Sequence, residues 1–465
     1  MKKSFLSNKV FRYVVIVLIF VSSEVSIYWY SARSTKQFEF TSGLSIPIHG
    51  GSYNTLTKGK NCKVFNQNKF MAMLRGGNFV LTEELLNPIS LQKAASGLII
   101  TVGKGGSKGF EKMNGATIQK ALDIIKTTGG RIVLKPGKYL LERTIMLEQS
   151  QNKIEIIGEP NASLVMDIMP TLILSRPCKK DDRFLVLEKV EKVAVGDRIK
   201  MQIPENTEGY SVIIESINKD TVFLKSPANF TLPIGTVINP ATLPNAIKLY
   251  NHVENVSISN IEIDLQSDKQ PFEPKNHSTG CGIFVESPYT YAEGPSADFC
   301  RNLTITNCHI HDCAFRGIAF YVVKDSFISN CQIENIGKRV QYSEAIDLDH
   351  YCEGIVVSNN KLKTGNVGIE FNDAANSKAI GNEIDDFDIG IRCWWWEPTK
   401  KMENMNSGNL VQKNIFKNYR NNAIWFGKNC HNNTITENTF YAVKGKSPVR
   451  VEEADNLVEK NLEIQ

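Results

Sequence analysis

Between Asn302 and the C-terminus one phrase returns in altered form, a pair of short segments written roughly N-x-x-I-x-N/C-x-I and then G-I-x-F. Aligning its second Asn or Cys gives Cys308, Cys331, Asn360, Asn382, Asn414, Asn438 and Asn461, separated by 23, 29, 22, 32, 24 and 23 residues. The basic period is therefore 22 to 24 residues, with two enlarged units. A chain that repeats at this period is a stack of similar units, each touching only its neighbours.

Apolar residues alternate within each unit, as in Ile318/Phe320, Ile346/Leu348, Ile369/Phe371, Ile391/Cys393 and Ile424/Phe426. That is the pattern of strands with one buried face. One unit cannot bury such a face alone, whereas units stacked about 4.8 Å apart bury it continuously. A leucine-rich repeat has a similar period but needs a leucine framework and a helix per repeat, and neither is present. The Asn, Cys and Gly positions suit tight corners, where Asn tolerates left-handed geometry and can hydrogen-bond from coil to coil. The sequence thus predicts an all-β chain folded as a parallel solenoid.

Near its start the repeat region holds Gly115-Ala-Thr-Ile-Gln-Lys-Ala-Leu-Asp123, then Gly129-Gly-Arg-Ile-Val-Leu-Lys-Pro-Gly-Lys-Tyr139, with Ile154-Glu-Ile-Ile-Gly158 as the next coil. This resembles the N-terminal capping helix and first strand of right-handed parallel β-helix proteins of the pectate-lyase-like superfamily. The resemblance spans Gly103 to the end. It implies a polysaccharide-active protein without choosing among hydrolase, lyase and epimerase. We therefore expect a β-helix domain over 103–465, interrupted over 171–245 by a small β-subdomain. There, Val193–Lys200, Ser211–Ile217 and Thr221–Lys225 read as short strands between Pro, Gly and Asn turns. Residues 33–102 form an extension without clear period.

Residues 1–32 open with Met-Lys-Lys, Lys9 and Arg12, continue with the apolar run Tyr13–Val21, and reach Ser22 and Ser23. A basic segment, a short hydrophobic core and small residues are the parts of an export signal. The alternative is an uncleaved membrane anchor extended through Ile27–Tyr30. Either way the chain is expected to be exported, and to act as a monomer. The net charge of +5 is spread out, with no basic run or aromatic-basic module, so nucleic acid is not an expected partner. Ten cysteines in an exported chain would ordinarily suggest disulfides. Cys308 and Cys331, however, share a repeat position, and Cys393 takes a slot used elsewhere by Phe320, Leu348 and Phe371. Stacked buried thiols and a Cys308–Cys331 bridge both remain open.

Chemistry is expected on the outer face of the G-I-x-F strand. Its x residues form the column Phe284, Ala319, Asp347, Glu370, Arg392, Trp425 and Arg450, and two residues on runs Glu286, Tyr321, Asp349, Asn372, Trp394 and Gly427. Carboxylates one coil apart lie about 5 Å from one another, and those two apart on a strand about 6.5 to 7 Å, the spacings at which glycosidases set their two acids. Crowding raises at least one pKa and keeps a proton donor at neutral pH. Asp347 and Glu370 are the expected acid and nucleophile or base, with Asp349 auxiliary. Arg392, Trp394, Trp396, Tyr321 and Asn372 are expected to bind substrate, the indoles as a platform for sugar rings in an open groove. The loop Glu397–Asn409 and the inserts Gly337–Ser343, Gln266–Gly280 and Ser287–Phe299 would wall it.

No cofactor is required, although Asp347, Asp349 and Glu370 could alternatively hold Ca²⁺. Cys308-His-Ile-His-Asp-Cys313 has the look of a metal site, but alternation turns His309 and His311 outward and Cys308 inward, so these side chains do not converge on one zinc. His350 falls inward or at a corner and reads as structural.

Alginate C5-epimerases carry a Tyr-Gly-Phe-Asp-Pro-His signature on such a strand, and Glu344-Ala-Ile-Asp-Leu-Asp349 matches it only at Asp347. Polygalacturonase-like hydrolases use clustered aspartates beside Arg and Lys, which this face resembles, without their Gly-His-Gly and Arg-Ile-Lys signatures. The expected function is a glycoside hydrolase acting on a polysaccharide or oligosaccharide. The alternatives are a uronate lyase or C5-epimerase, and a non-catalytic glycan-binding or exopolysaccharide-assembly protein.

Overall fold

A computed structural model of the chain describes residues 97–465 apart from 201–210 (of which only the strand backbone is placed), 242, 272–278, 291–292, 297, 338–342 and 395–405. The expected leader or anchor and nearly all of the extension before residue 97 lie outside the described residues, as do Trp396 and most of Glu397–Asn409. No helix among the described residues is long and apolar enough to cross a membrane.

The chain winds as a right-handed parallel β-helix. Its coils contribute to a twelve-stranded sheet and to a nineteen-stranded sheet that carries the remaining faces. Among the described residues the first parallel strand is Gly97–Val102, paired with Gly130–Leu134, six residues before the boundary expected at 103. Helix Gly115–Ile125 closes the open end. The side chain of Asn114 caps its first turn by accepting from Thr117 N at 3.0 Å, and Ile118, Ala121, Leu122 and Ile125 are buried beneath it. Successive coils then stack in register, as Phe327–Ser329 on Val356–Ser358 on Lys378–Ile380 on Leu410–Gln412. Residues Leu172–Pro240 leave this stack and make a separate six-stranded antiparallel sheet with its own core.

The repeat phrase sets a ladder in the interior. Cys331 N donates to Asn360 Oδ1, Asn360 N to Asn382 Oδ1, Asn382 N to Asn414 Oδ1, Asn414 N to Asn438 Oδ1 and Asn438 N to Asn461 Oδ1, each at 2.9 Å. The left-handed residue at each corner is the one before the ladder position: Asn330, Asn359, Gly381, Lys413, Glu437 and Lys460 all have φ between 54° and 65°. A second ladder flanks the other end of the same short strands, through Ser377, Asn409, Asn433 and Asn456. Together the ladders satisfy corner N–H groups that no neighbouring strand reaches. Cys308 and Cys331 stack in the first ladder as free thiols, and the nine described cysteines are all unpaired and buried.

Candidate active site

The strands Arg316–Tyr321, Glu344–Glu353, Lys361–Ala375 and Glu383–Trp394 pair in the register that alternation predicts. Ala319, Asp347, Glu370 and Arg392 are consecutive rungs of one column, and Tyr321, Asp349, Asn372 and Trp394 of the next. The columns are not an open face. Asp347 is 1% exposed, and Glu370 and Asp349 are equally enclosed, in place of the solvated groove expected from the sequence. Alternation fixes which side of the strand an acid takes, but not whether that side is open to solvent.

Two further residues enter this cluster that alternation assigns to the core. Arg316 and Glu344 pair across the coils and have the parity of Ile318 and Ile346. The small residue between, Gly317 in one strand and Ala345 in the other, explains their turn outward. A Cβ on Gly317 would sit 2.5 Å from Ile333 Cγ2 in the core, so Gly317 and Ile318 both face inward and the alternation resets. Arg316 Nε then lies 2.5 Å from Asp347 Oδ2 and 3.0 Å from Glu344 Oε2. Arg392 grips Glu370 with Nε at 3.0 Å and Nη2 at 2.5 Å, and reaches Glu344 Oε1 at 3.4 Å. One oxygen from each of Glu344, Asp347 and Glu370 lies within 4.8 Å of the others. Three carboxyls thus share two guanidiniums in a water-poor place, and Asp347 Oδ1 has no hydrogen-bond partner among the described residues. Arg392, expected to bind substrate, is already held by these carboxylates.

Environment separates the acids. Burial, then repulsion from Asp349 and Glu370 against the pull of Arg316, pushes the Asp347 carboxyl up to about 8. Burial likewise lifts Glu344 well above the carboxylate range. Asp349 goes the other way: against burial, the charge and hydrogen bond of His350, with help from Arg316 and Tyr321, hold it below its ordinary value.

His350 reaches that position through a bulge. The register gains one residue between Asp349 and Cys352, with His350 and Tyr351 both at positive φ, 38° and 61°. Its Nδ1 lies 3.0 Å from Asp349 Oδ1 and 3.4 Å from Asp373 Oδ2. Although burial opposes it, these two acids raise His350 to about 10, so it is an imidazolium at neutral pH. Burial raises Asp373 to about 6. Tyr289, from the hairpin of Tyr289–Thr290 with Gly294–Pro295, packs its ring 4.6 Å from His350 and 6.4 Å from Tyr321. Alternation foresaw a corner at His350 but not its place beside the acids.

The residues of the alternative calcium reading, Asp347, Asp349 and Glu370, fall into two groups. Asp349 groups with His350 and Asp373, while Asp347 and Glu370 group with Glu344 around two guanidiniums that already supply positive charge. Trp394 is half-buried, its ring 5.3 Å from the Arg392 guanidinium and edge-on to Trp425 at 5.7 Å. Trp394 thus pairs with Trp425, one coil on in the first column, and Trp425 also donates to Glu452 at 3.1 Å. Asn372 Oδ1 is buried without a partner among the described residues.

Residues 104–370 match the family described as rhamnogalacturonase A/epimerase, pectate lyase-like, and residues 300–462 match the right handed beta helix region. No curated protein matches the chain. Similar solved structures include a hyperthermoactive exopolygalacturonase from Thermotoga maritima, 11% identical over 76% of this chain and 73% of that one, with a TM-score of 0.41. The enzymatically active domain of bacteriophage CBA120 tailspike protein 2 is 13% identical over 80% of this chain and 49% of its own, at 0.40. XylC in complex with xylose is 11% identical over 77% and 86%, at 0.36.

Proposed function

The chain belongs to the rhamnogalacturonase A/epimerase, pectate lyase-like family, and we propose from that premise that it is an exported enzyme that hydrolyses a polysaccharide, with Asp347 as proton donor and Asp349 as base. The observation that carries this is the opposite treatment of two carboxyls on one strand. Asp347 is buried among like charges and keeps its proton, while Asp349 is held ionised by His350 and Tyr321. Acid and base roles fall to groups whose environments drive them apart in this way. Residues two apart on a strand lie about 6.5 to 7 Å from one another, the lower end of the spacing that admits a water and inverts the anomeric centre. Asp347 protonates the glycosidic oxygen, and Asp349 takes a proton from the attacking water. Glu370 and Glu344 pair with Arg392 and Arg316, which fixes both guanidiniums beside the proton donor. Trp394 and Trp425 offer flat apolar faces to sugar rings.

Lyase and epimerase chemistry fit less well. Both need a base for the C5 proton and a cation for the uronate carboxylate. Here His350 is protonated, the Tyr321 hydroxyl is pushed far above its usual value by burial, and both arginines of the cluster are engaged by acids. The test is digestion of a panel of plant and bacterial polysaccharides by the purified protein. New reducing ends with inverted anomeric configuration, lost in Asp347→Asn and Asp349→Asn, are expected. Unsaturated uronate products would transfer the protein to the lyases, and a substrate bound without turnover would make it a glycan-binding protein.

A further inference from the structure

The acid columns do not use the strand His309–His311, which lies in the neighbouring row of strands with Glu262–Asp264 before it and Gln332–Glu334 after it. In that register Glu262 is opposite His309 and Asp264 opposite His311, with Glu334 opposite His311 on the following coil. The two imidazoles point outward while Cys308 and Cys313 are buried in the core, which is why a cysteine-histidine set does not form. Carboxylates from the adjacent coils take the place of the thiolates.

We infer that Glu262, His309 and His311 form a binding site for a divalent transition metal of the zinc class, clamping neighbouring coils together. One ligand atom from each of the three lies within 4.8 Å of the others. Two imidazoles and a carboxylate are a donor set that zinc accepts, leaving a fourth position for water. The orientation of His311 is that of a ligand held from behind. Its Nδ1 lies 2.8 Å from Asp312 Oδ2, which keeps the proton on that nitrogen, and its Nε2 faces Glu262 Oε1 at 3.2 Å. A carboxylate holding the far nitrogen of a histidine is the arrangement that orients metal-bound imidazoles and raises their basicity. Glu334 holds Nε2 of His309 in the same manner at 2.8 Å. The rings lie 4.7 Å apart, tilted by 35°, so they share one side of the strand. Four carboxylates, Glu262, Asp264, Asp312 and Glu334, surround the pair, and the facing cations in register are Lys361 and Lys363, one coil beyond, opposite Gln332 and Glu334. That field favours a dication. The side chains of Glu262 and His309 are about two-fifths exposed, which leaves the site open to solvent for metal entry.

The site is tested on the full-length protein stripped with EDTA, by titrating Zn²⁺ against a chromophoric chelator and by thermal unfolding with and without Zn²⁺. The wild type should bind one equivalent and melt at a higher temperature with zinc. His309→Asn/His311→Asn should melt like the stripped wild type and lose that equivalent, and Asp312→Asn should bind roughly tenfold to a hundredfold more weakly. Glu262→Gln repeats the test without touching an imidazole. Zinc affinity unchanged in the double variant and in Glu262→Gln, or no stoichiometric zinc in the wild type, would overturn the assignment. Since neither outcome depends on turnover, the site stands or falls apart from the proposed hydrolysis.

Discussion

Replacing Asn382 by Ala removes four hydrogen bonds from a side chain that is 1% exposed. It accepts from Asn360 N and Asn360 Nδ2, each at 2.9 Å, and donates to Val357 O at 3.0 Å and Asn414 Oδ1 at 2.9 Å. Each is worth about 1 kcal/mol net, and the orphaned Asn360 N–H adds roughly 1 to 3 kcal/mol because no water reaches it. Allowing for relaxation of a corner that loses little volume, the expected loss is about 3 to 5 kcal/mol. Asn461, on the last coil, is the control. It accepts from Asn438 N and Nδ2 and donates to Ile435 O, but its rung is only partly buried, so solvent replaces what Ala removes, and about 1 kcal/mol is expected. Urea unfolding followed by tryptophan fluorescence measures both, and hydrogen exchange at Asn360 shows whether the damage starts at that rung. A loss below about 1 kcal/mol for Asn382→Ala, or one equal to that of Asn461→Ala, would mean that the corners are held by strand packing and not by the ladder.

Asp347→Asn and Asp349→Asn should each lower kcat by about two to four orders of magnitude while leaving the circular dichroism spectrum unchanged, and near-wild-type turnover in either removes that residue from the reaction. With the donor at about 8 and the base below the ordinary carboxylate range, kcat/KM should be flat through neutral pH and fall as pH rises past 8. A profile level beyond about pH 9 contradicts a donor of this kind. The raised Asp347 has a consequence for stability as well. The folded state binds a proton that the unfolded chain releases near 3.8, so stability should decline as pH rises from about 4 to 8. His350 is raised to about 10, and its contribution is present below its ordinary 6.5 and lost as pH approaches 10. Urea midpoints measured across this range test both, and a midpoint that climbs steadily from pH 4 to 10 excludes them. Trp394→Ala should raise KM several-fold with a smaller change in kcat, as expected of about 1 kcal/mol of ring stacking, and an unchanged KM removes Trp394 from the substrate face.

What was legible in the sequence is what strict periodicity dictates. The period of the Asn and Cys positions sets the coils, and alternation sets the side each residue takes. The neighbours Asp347, Glu370 and Arg392 therefore follow from counting alone. The rest became invisible where periodicity breaks. Arg316 and Glu344 lie on the far side of a small residue, Gly317 in one strand and Ala345 in the other, at which two consecutive residues face the core, and His350 sits in a one-residue bulge. Each break carries a mark of its own. Gly282, Gly317, Gly368 and Gly390 recur before the Ile of G-I-x-F because a methyl group there would meet the next coil's backbone and the core beneath. Alternation counted backwards across that small residue, Gly317 or Ala345, is then in error by one, and Arg316 and Glu344 before it belong to the outer face. Applied to this chain, the correction moves Arg316 and Glu344 from the apolar column to the acidic one. A buried Arg and Glu at core parity would each cost several kcal/mol, which is itself reason to doubt that parity. The burial of the acids has no such mark, since neither the coil period nor the alternation reports it.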